Sequence, residues 1–286
     1  MARATVRVSH GNGPPAGRPV PIDPAALVPR LGGRSAFLYL DYDGTLVPIA
    51  RHPDQAPLDD AGRTLLRALA PALPVAIVSG RARATLRALV GIPSLYYVGN
   101  HGLEISGPGL RRDAAVPSGW RRDLNRILAT TEANAPPGVV IERKGVTASI
   151  HYRLVAAPDR ARWLPGLRAW LAPWAARGRV RLVRAKAAVE LRPPVDWDKG
   201  AAVRWLLSHV GAKDRLPVYL GDDATDEDGF RAVRADGVGV LVGRPRRSAA
   251  RYRLAGPADV RRLLVRWLQT LDGCEGGERR SQDEGR

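Results

Sequence analysis

The chain has 286 residues, 45% hydrophobic and 26% charged, which is globular composition and enough chain for one large domain or two modest ones. No run approaches the roughly 18 apolar residues of a spanning helix, the start lacks the apolar centre of a signal peptide, and Cys274 is the single cysteine, so a cytoplasmic protein without disulfide or Cys-based metal chemistry is expected. The net charge of +17 would suit a nucleic-acid binder, but the Arg residues (83, 87, 121, 122, 126, 261, 262) scatter through helical patterns without interleaved aromatics and read as a solvated surface, so no specific nucleic-acid partner is expected.

Residues 1–33 are rich in Gly, Pro and Ala with no sustained period and are predicted to be a disordered tail. FLYL (37–40) is then followed by the helical pattern LLRALA, and VAIVS (75–79) by ATLRALV. The stretch 105–195 changes character. It has a Gly/Pro turn at 107–109, a helix near 118–133, a hairpin VVIER/VTASIHYR turning at Lys144–Gly145, a helix with Trp163, Leu167, Trp170 and Trp174 on one stripe, and the strands VRLVRA and AAVELR. PVYL (217–220), GVGVLV (237–242) and the helix DVRRLLVRWL complete the pattern, and 273–286 reads as a second disordered tail. Continuous apolar runs separated by helices mark a parallel sheet covered on both faces. The expectation is an α/β protein whose Rossmann-like parallel-sheet core spans 34–104 and 196–272, with an α+β cap inserted at 105–195.

Four motifs carry the candidate chemistry, three of them at the carboxyl ends of strands, where such a sheet binds ligands. DYDGTL carries Asp41 and Asp43 one residue apart. VSGR supplies the Ser79 hydroxyl beside helix-terminal N–H groups. Lys199 opens a helix, where the dipole disfavours it, and is one of only four lysines with 144, 186 and 213. GDDATDEDGF crowds Asp222, Asp223, Asp226, Glu227 and Asp228 after a strand. Like-charge repulsion there asks for a cation, and oxygen-only donors select a hard ion such as Mg²⁺. Helix capping accounts for Asp226, Glu227 and Asp228, but not for Asp222 and Asp223.

In this order, DYDGTL, VSGR, Lys199 and GDD resemble the signatures of the haloacid-dehalogenase superfamily of phosphohydrolases. With VGNHGLEI, ERKGVTASIHYR, VELRPPVDWDKG, GDDATDEDGF and GVGVLVG, the stretch of about 36–270 resembles the trehalose-6-phosphate phosphatase family. The resemblance implies a Mg²⁺-dependent phosphatase acting on trehalose 6-phosphate. Asp41 is the implied nucleophile and Asp43 the acid and base. Asp41, the Asp43 carbonyl and Asp222 are the implied metal ligands, with Asp223 behind them. Lys199 and Ser79 are expected on the phosphoryl oxygens, and Arg81, Asn100, His101, Lys144 and Glu190 on the substrate. Alternation along VTASIHYR puts Thr147, Ser149, His151 and Arg153 on one face and along AVELR puts Glu190 and Arg192 together, and Thr147 and Ser149 are read as solvent-facing. Lys186 is a weaker candidate, noted for its persistence in a lysine-poor chain. The alternatives are a sucrose-phosphate or mannosyl-phosphoglycerate type phosphatase, a non-catalytic sugar-phosphate sensor, and a basic nucleic-acid-binding protein.

Overall fold

A computed structural model describes residues 17–49, 57–185 and 187–283, and Lys186 lies outside them. The chain enters through β1 (Val20–Pro21) and α1 (Pro24–Leu27). It continues through β2 (Ala36–Asp41), α2 (Asp60–Leu69), β3 (Val75–Val78), α3 (Arg83–Val90) and β4 (Tyr96–Gly99), and then β5 (Glu104–Gly107) and β6 (Leu110–Asp113). A second group follows: α4 (Trp120–Ala133), β7 (Val140–Arg143), β8 (Ala148–His151), α5 (Ala157–Ala176), β9 (Arg181–Ala185) and β10 (Ala188–Arg192). The chain then returns with α6 (Lys199–His209), β11 (Leu216–Gly221), α7 (Glu227–Val233), β12 (Val238–Val242), β13 (Tyr252–Leu254) and α8 (Pro257–Asp283).

The first sheet has nine strands in the order β1-β13-β12-β11-β2-β3-β4-β5-β6, parallel except for the β4-β5-β6 edge. Its central strands are continuously apolar because successive residues enter two different cores. Leu38 and Leu40 of β2, with Val75 and Ile77 of β3, pack under Leu66 of α2, Leu86 of α3 and Trp267 of α8. Phe37, Tyr39, Ala76 and Val78 face Val203 and Leu206 of α6 and Phe230 of α7 on the other side. The second sheet, β7-β8-β10-β9, is antiparallel throughout. Helices α4 and α5 cover one of its faces, with Trp120, Leu124, Ile127, Leu167 and Leu171 against Ala148, Ile150 and Leu191. Trp163, Trp170 and Trp174 pack on the same core, as their helical stripe predicted. Its other face is polar, and the register puts Glu142, Ser149 and Glu190 in one cross-strand row.

Three boundaries differ from the expectation. Residues 17–33 belong to the fold: β1 extends the sheet beside β13, and Leu27, Val28 and Leu31 are buried in the first core. Their few apolar residues, broken by proline, carry no period to read. The core runs to Asp113 rather than 104, because β5 and β6 hydrogen-bond onto β4. The backbone of α8 stays helical past 273, to Asp283. Among the described residues, no helix is long and apolar enough to cross a membrane.

Candidate active site

The carboxyl ends of the adjacent parallel strands β3, β2 and β11 bring the dispersed motifs together. Asp41 is the last residue of β2, Ser79 follows β3, and Asp222 follows β11. Lys199 enters from the first turn of α6, whose amino end is capped by Asp198 Oδ1 accepting from the Ala201 N–H at 2.8 Å. The Lys199 ammonium is buried and donates to Asp41 Oδ1 and to Asp226 Oδ1, both at 2.7 Å. Burial alone would lower the Lys199 pKa, but Asp226 and then Asp41 outweigh it and hold the amine above its ordinary value. Burial, reinforced by Asp226 and Asp222 and opposed by Lys199, pushes the Asp41 carboxyl well above the usual range.

Asp226 is the residue that sequence reasoning undervalued. It does cap the turn that it ends, with Oδ2 accepting from the N–H groups of Asp222 (3.1 Å) and Asp223 (2.9 Å). Its Oδ1 also accepts from Lys199 and from the Tyr219 hydroxyl at 2.8 Å. The available signal was its spacing, four residues after Asp222 on a tight acidic turn. Capping explained the acid locally and concealed its long-range partner. Removing one member of a buried ion pair costs about 3–5 kcal/mol, so the Lys199–Asp226 pair supports the fold as well as the site.

The donor set suits a hard cation. Oxygens of Asp41, Asp222 and Asp226 lie within 4.8 Å of one another. A carboxylate offers about four lone-pair sites, and Asp226 already accepts four hydrogen bonds, which leaves Asp41 and Asp222 as the carboxylates suited to an ion. Gly44 holds these two loops together. It has φ +90°, and a Cβ there would stand 2.3 Å from Asp222 Oδ2. Asp43 is paired bidentately with Arg81, Nε–Oδ2 at 2.7 Å and Nη2–Oδ1 at 2.6 Å, and Ser79 Oγ accepts from the Arg81 N–H at 3.1 Å.

A second cluster joins the two sheets. Glu190 of β10 meets His101 Nε2 at 2.7 Å, Lys144 Nζ at 3.3 Å and Arg192 Nε at 2.9 Å. Burial alone would raise the Glu190 pKa, but the His101 contact, the Arg192 charge and Lys144 hold it well below the usual carboxylate range. His101 is pushed down to about 3 by burial and by Arg192, against the pull of Glu190, so its ring is neutral at pH 7. With Nε2–H given to the carboxylate, Nδ1 is an acceptor, and it has no hydrogen-bond partner. Lys144 is no solvated turn residue: its side chain is 9% exposed and also lies 3.5 Å from Glu142. Gly80 lets the His101 ring approach, since a Cβ there would meet the ring at 2.5 Å.

Two expectations are corrected here. Thr147 and Ser149 are buried rather than solvent-facing, because the polar face of the second sheet lies against the β4–β5 turn. Arg153 is exposed in the turn after β8, off the face shared by Thr147 and Ser149. Arg192 and Glu142 were missed in sequence reasoning, although alternation paired Arg192 with Glu190.

Residues 39–258 match the trehalose-phosphatase family. The chain belongs to that family. A rice (Oryza sativa subsp. japonica) protein described as probable trehalose-phosphate phosphatase 4 is 36% identical over 248 residues, covering 83% of this chain and 67% of the relative. Among solved structures, the C-terminal domain of C. albicans trehalose-6-phosphate phosphatase superposes with a TM-score of 0.75 at 25% identity, covering 89% of this chain and 99% of that domain. A haloacid dehalogenase-like hydrolase from Bacteroides thetaiotaomicron, 17% identical with a TM-score of 0.59, shares the fold over 81% of this chain and 98% of its own. The trehalose-phosphatase fold is thus a haloacid-dehalogenase-like α/β core carrying, in this chain, a second α+β sheet.

Proposed function

We propose that the protein hydrolyses trehalose 6-phosphate to trehalose and phosphate, with residues 114–195 serving as the cap over the sugar. The observation that carries this reading is the pairing of a Lys199–Asp41–Asp226 cluster at the strand ends with a buried Glu190–Lys144–His101 network across from it. The first is suited to a phosphoryl group, and the second offers both acceptors and donors to sugar hydroxyls.

In this mechanism Asp41 attacks phosphorus and becomes an aspartyl phosphate, which splits a very slow hydrolysis into two easier steps. Asp43, the half-exposed partner of Arg81, gives its proton to the departing sugar oxygen and then takes one from the attacking water. Lys199 and Ser79 hold phosphoryl oxygens, and Asp226 keeps Lys199 charged and aimed. A single charge at 4 Å contributes about 4 kcal/mol at an effective dielectric of 20. Asp41, Asp222 and the Asp43 carbonyl, supported by Asp223, would hold a Mg²⁺ ion, which would supply positive charge against an anionic nucleophile and an anionic substrate. Glu190, Lys144, His101 and Arg81 belong to substrate binding in this reading.

Phosphate release measured across trehalose 6-phosphate, sucrose 6-phosphate and mannosyl-3-phosphoglycerate tests it. Trehalose 6-phosphate is expected to have the highest kcat/KM, exhaustive chelation to abolish turnover, and Mg²⁺ to restore it. Preference for another sugar phosphate overturns the substrate, and full activity after chelation overturns the metal.

A further inference from the structure

Asn100 and His101 form the turn between β4 and β5, and both lie in the left-handed backbone region, with φ 47° and 55°. Non-glycine residues are strained there, so the surrounding contacts must hold the turn in place. On one side it is tied to the loop after β3: the Asn100 N–H donates to the Arg81 carbonyl at 2.7 Å and the His101 N–H to the Ser79 carbonyl at 3.0 Å. On the other side both polar atoms of the Asn100 amide bond to the β7–β8 hairpin. Nδ2 donates to the Lys144 carbonyl at 2.9 Å, and Oδ1 accepts from Thr147 Oγ1 at 2.6 Å. The amide orientation is unambiguous, because a backbone carbonyl can only accept. Asn100 and Thr147 are both fully buried, and the hairpin is closed by the Lys144 N–H donating to the Thr147 carbonyl at 2.9 Å.

We propose that Asn100 and Thr147 are positioning residues. Their buried hydrogen bond clasps the hairpin to the Ser79–Arg81 loop and so sets Lys144, and Glu190 beside it, at a fixed distance from the phosphoryl end. This rests on the reading that Lys144 and Glu190 bind the sugar, and it departs from the direct substrate contact that the family resemblance implied for Asn100. A clasp of this kind acts on sugar binding and leaves the chemistry of Asp41 alone.

The test uses the full chain with Mg²⁺ and trehalose 6-phosphate. Thr147→Val, nearly isosteric but without the hydroxyl, is expected to raise KM about tenfold with kcat within about twofold of wild type. Thr147→Ser, which restores the hydroxyl, is expected to return KM to within about twofold. The double variant Asn100→Ala/Thr147→Val should be no worse than Asn100→Ala alone, since both remove one interaction. An unchanged KM in Thr147→Val, a loss confined to kcat, failure of Thr147→Ser to rescue, or multiplicative effects in the double variant each overturn the clasp. If Asn100→Ala does not fold, the Val and Ser pair at position 147 decides. Lys144→Ala separates the two readings. If it leaves KM unchanged, the sugar site is wrong, and the clasp is judged by the thermal midpoints of the same variants, where additive shifts overturn it.

Discussion

The two charged clusters are both buried, yet they are assembled by different means. The end proposed to bind phosphate is built on one sheet: Asp41, Ser79 and Asp222 stand at the carboxyl ends of adjacent central parallel strands, and Lys199 reaches in from a helix capped beside them. The end proposed to bind the sugar exists only where two sheets meet, with His101 from the β4–β5 turn touching Glu190 of the second sheet, which in turn accepts from Lys144. The difference teaches that a generic chemistry can be fixed by strand order alone, whereas selectivity depends on how a second unit is seated.

The sharpest way to break this comparison is at the phosphate end. Asp41→Asn keeps the shape of the side chain but is a far poorer nucleophile, and it is expected to abolish phosphate release from every substrate while the circular dichroism spectrum stays that of wild type. Turnover near the wild-type rate in the purified variant overturns the assignment of Asp41.

At the sugar end the expected loss is smaller and selective. Binding energy from the non-reacting part of a substrate lowers the barrier only for substrates that have that part. Glu190→Ala is expected to cut kcat/KM for trehalose 6-phosphate by roughly 10²-fold, the loss of a charged hydrogen-bonding group worth about 3 kcal/mol. A small aryl phosphate should lose far less. Equal losses on both substrates would make Glu190 part of the catalytic or structural machinery, and no loss on either would remove it from the site.

The smallest effect concerns stability. His101 is held down to about 3 by burial first and Arg192 second, whereas in an unfolded chain it titrates near 6.5. The unfolded state therefore binds the extra proton, so this contribution is fully present above about pH 6.5 and is lost as pH falls toward 3. Glu190, whose pKa is lowered, adds its own loss only below its unfolded value of 4.5. Between pH 6.5 and 5 the His101→Gln variant should show a shallower decline in urea-unfolding free energy than wild type, by on the order of 1 kcal/mol per pH unit. Parallel profiles would mean that His101 takes up its proton without strain in the folded protein.

Much of the phosphate end was legible because each motif follows a continuous apolar strand, and in a sheet covered on both faces such runs end at the ligand crevice. Asp41, Ser79 and Asp222 were marked in this way, and Lys199 by its place at the start of a helix in a lysine-poor chain. Asp226 was half legible, since its capping role is local and its bond to Lys199 spans 27 residues. At the sugar end, alternation identified the row containing Ser149 and the pairing of Glu190 with Arg192. It assigned the wrong environment to Thr147 and Ser149, because a period of two separates the faces of a sheet without saying what covers each.

The sequence by itself determined the local matters: which runs form strands and helices, that the central strands are buried on both faces, and which acids and lysines stand at their ends. These follow from side-chain periodicity and from charges crowded within a few residues. The tertiary structure alone decided that residues 17–33 join the sheet, that β5 and β6 extend it, that Asp226 orients Lys199, and that Thr147 binds Asn100 rather than solvent. Each of these is a pairing between segments distant in the chain. Its free energy comes from burying hydrogen-bonding and charged groups together, which no short-range pattern records.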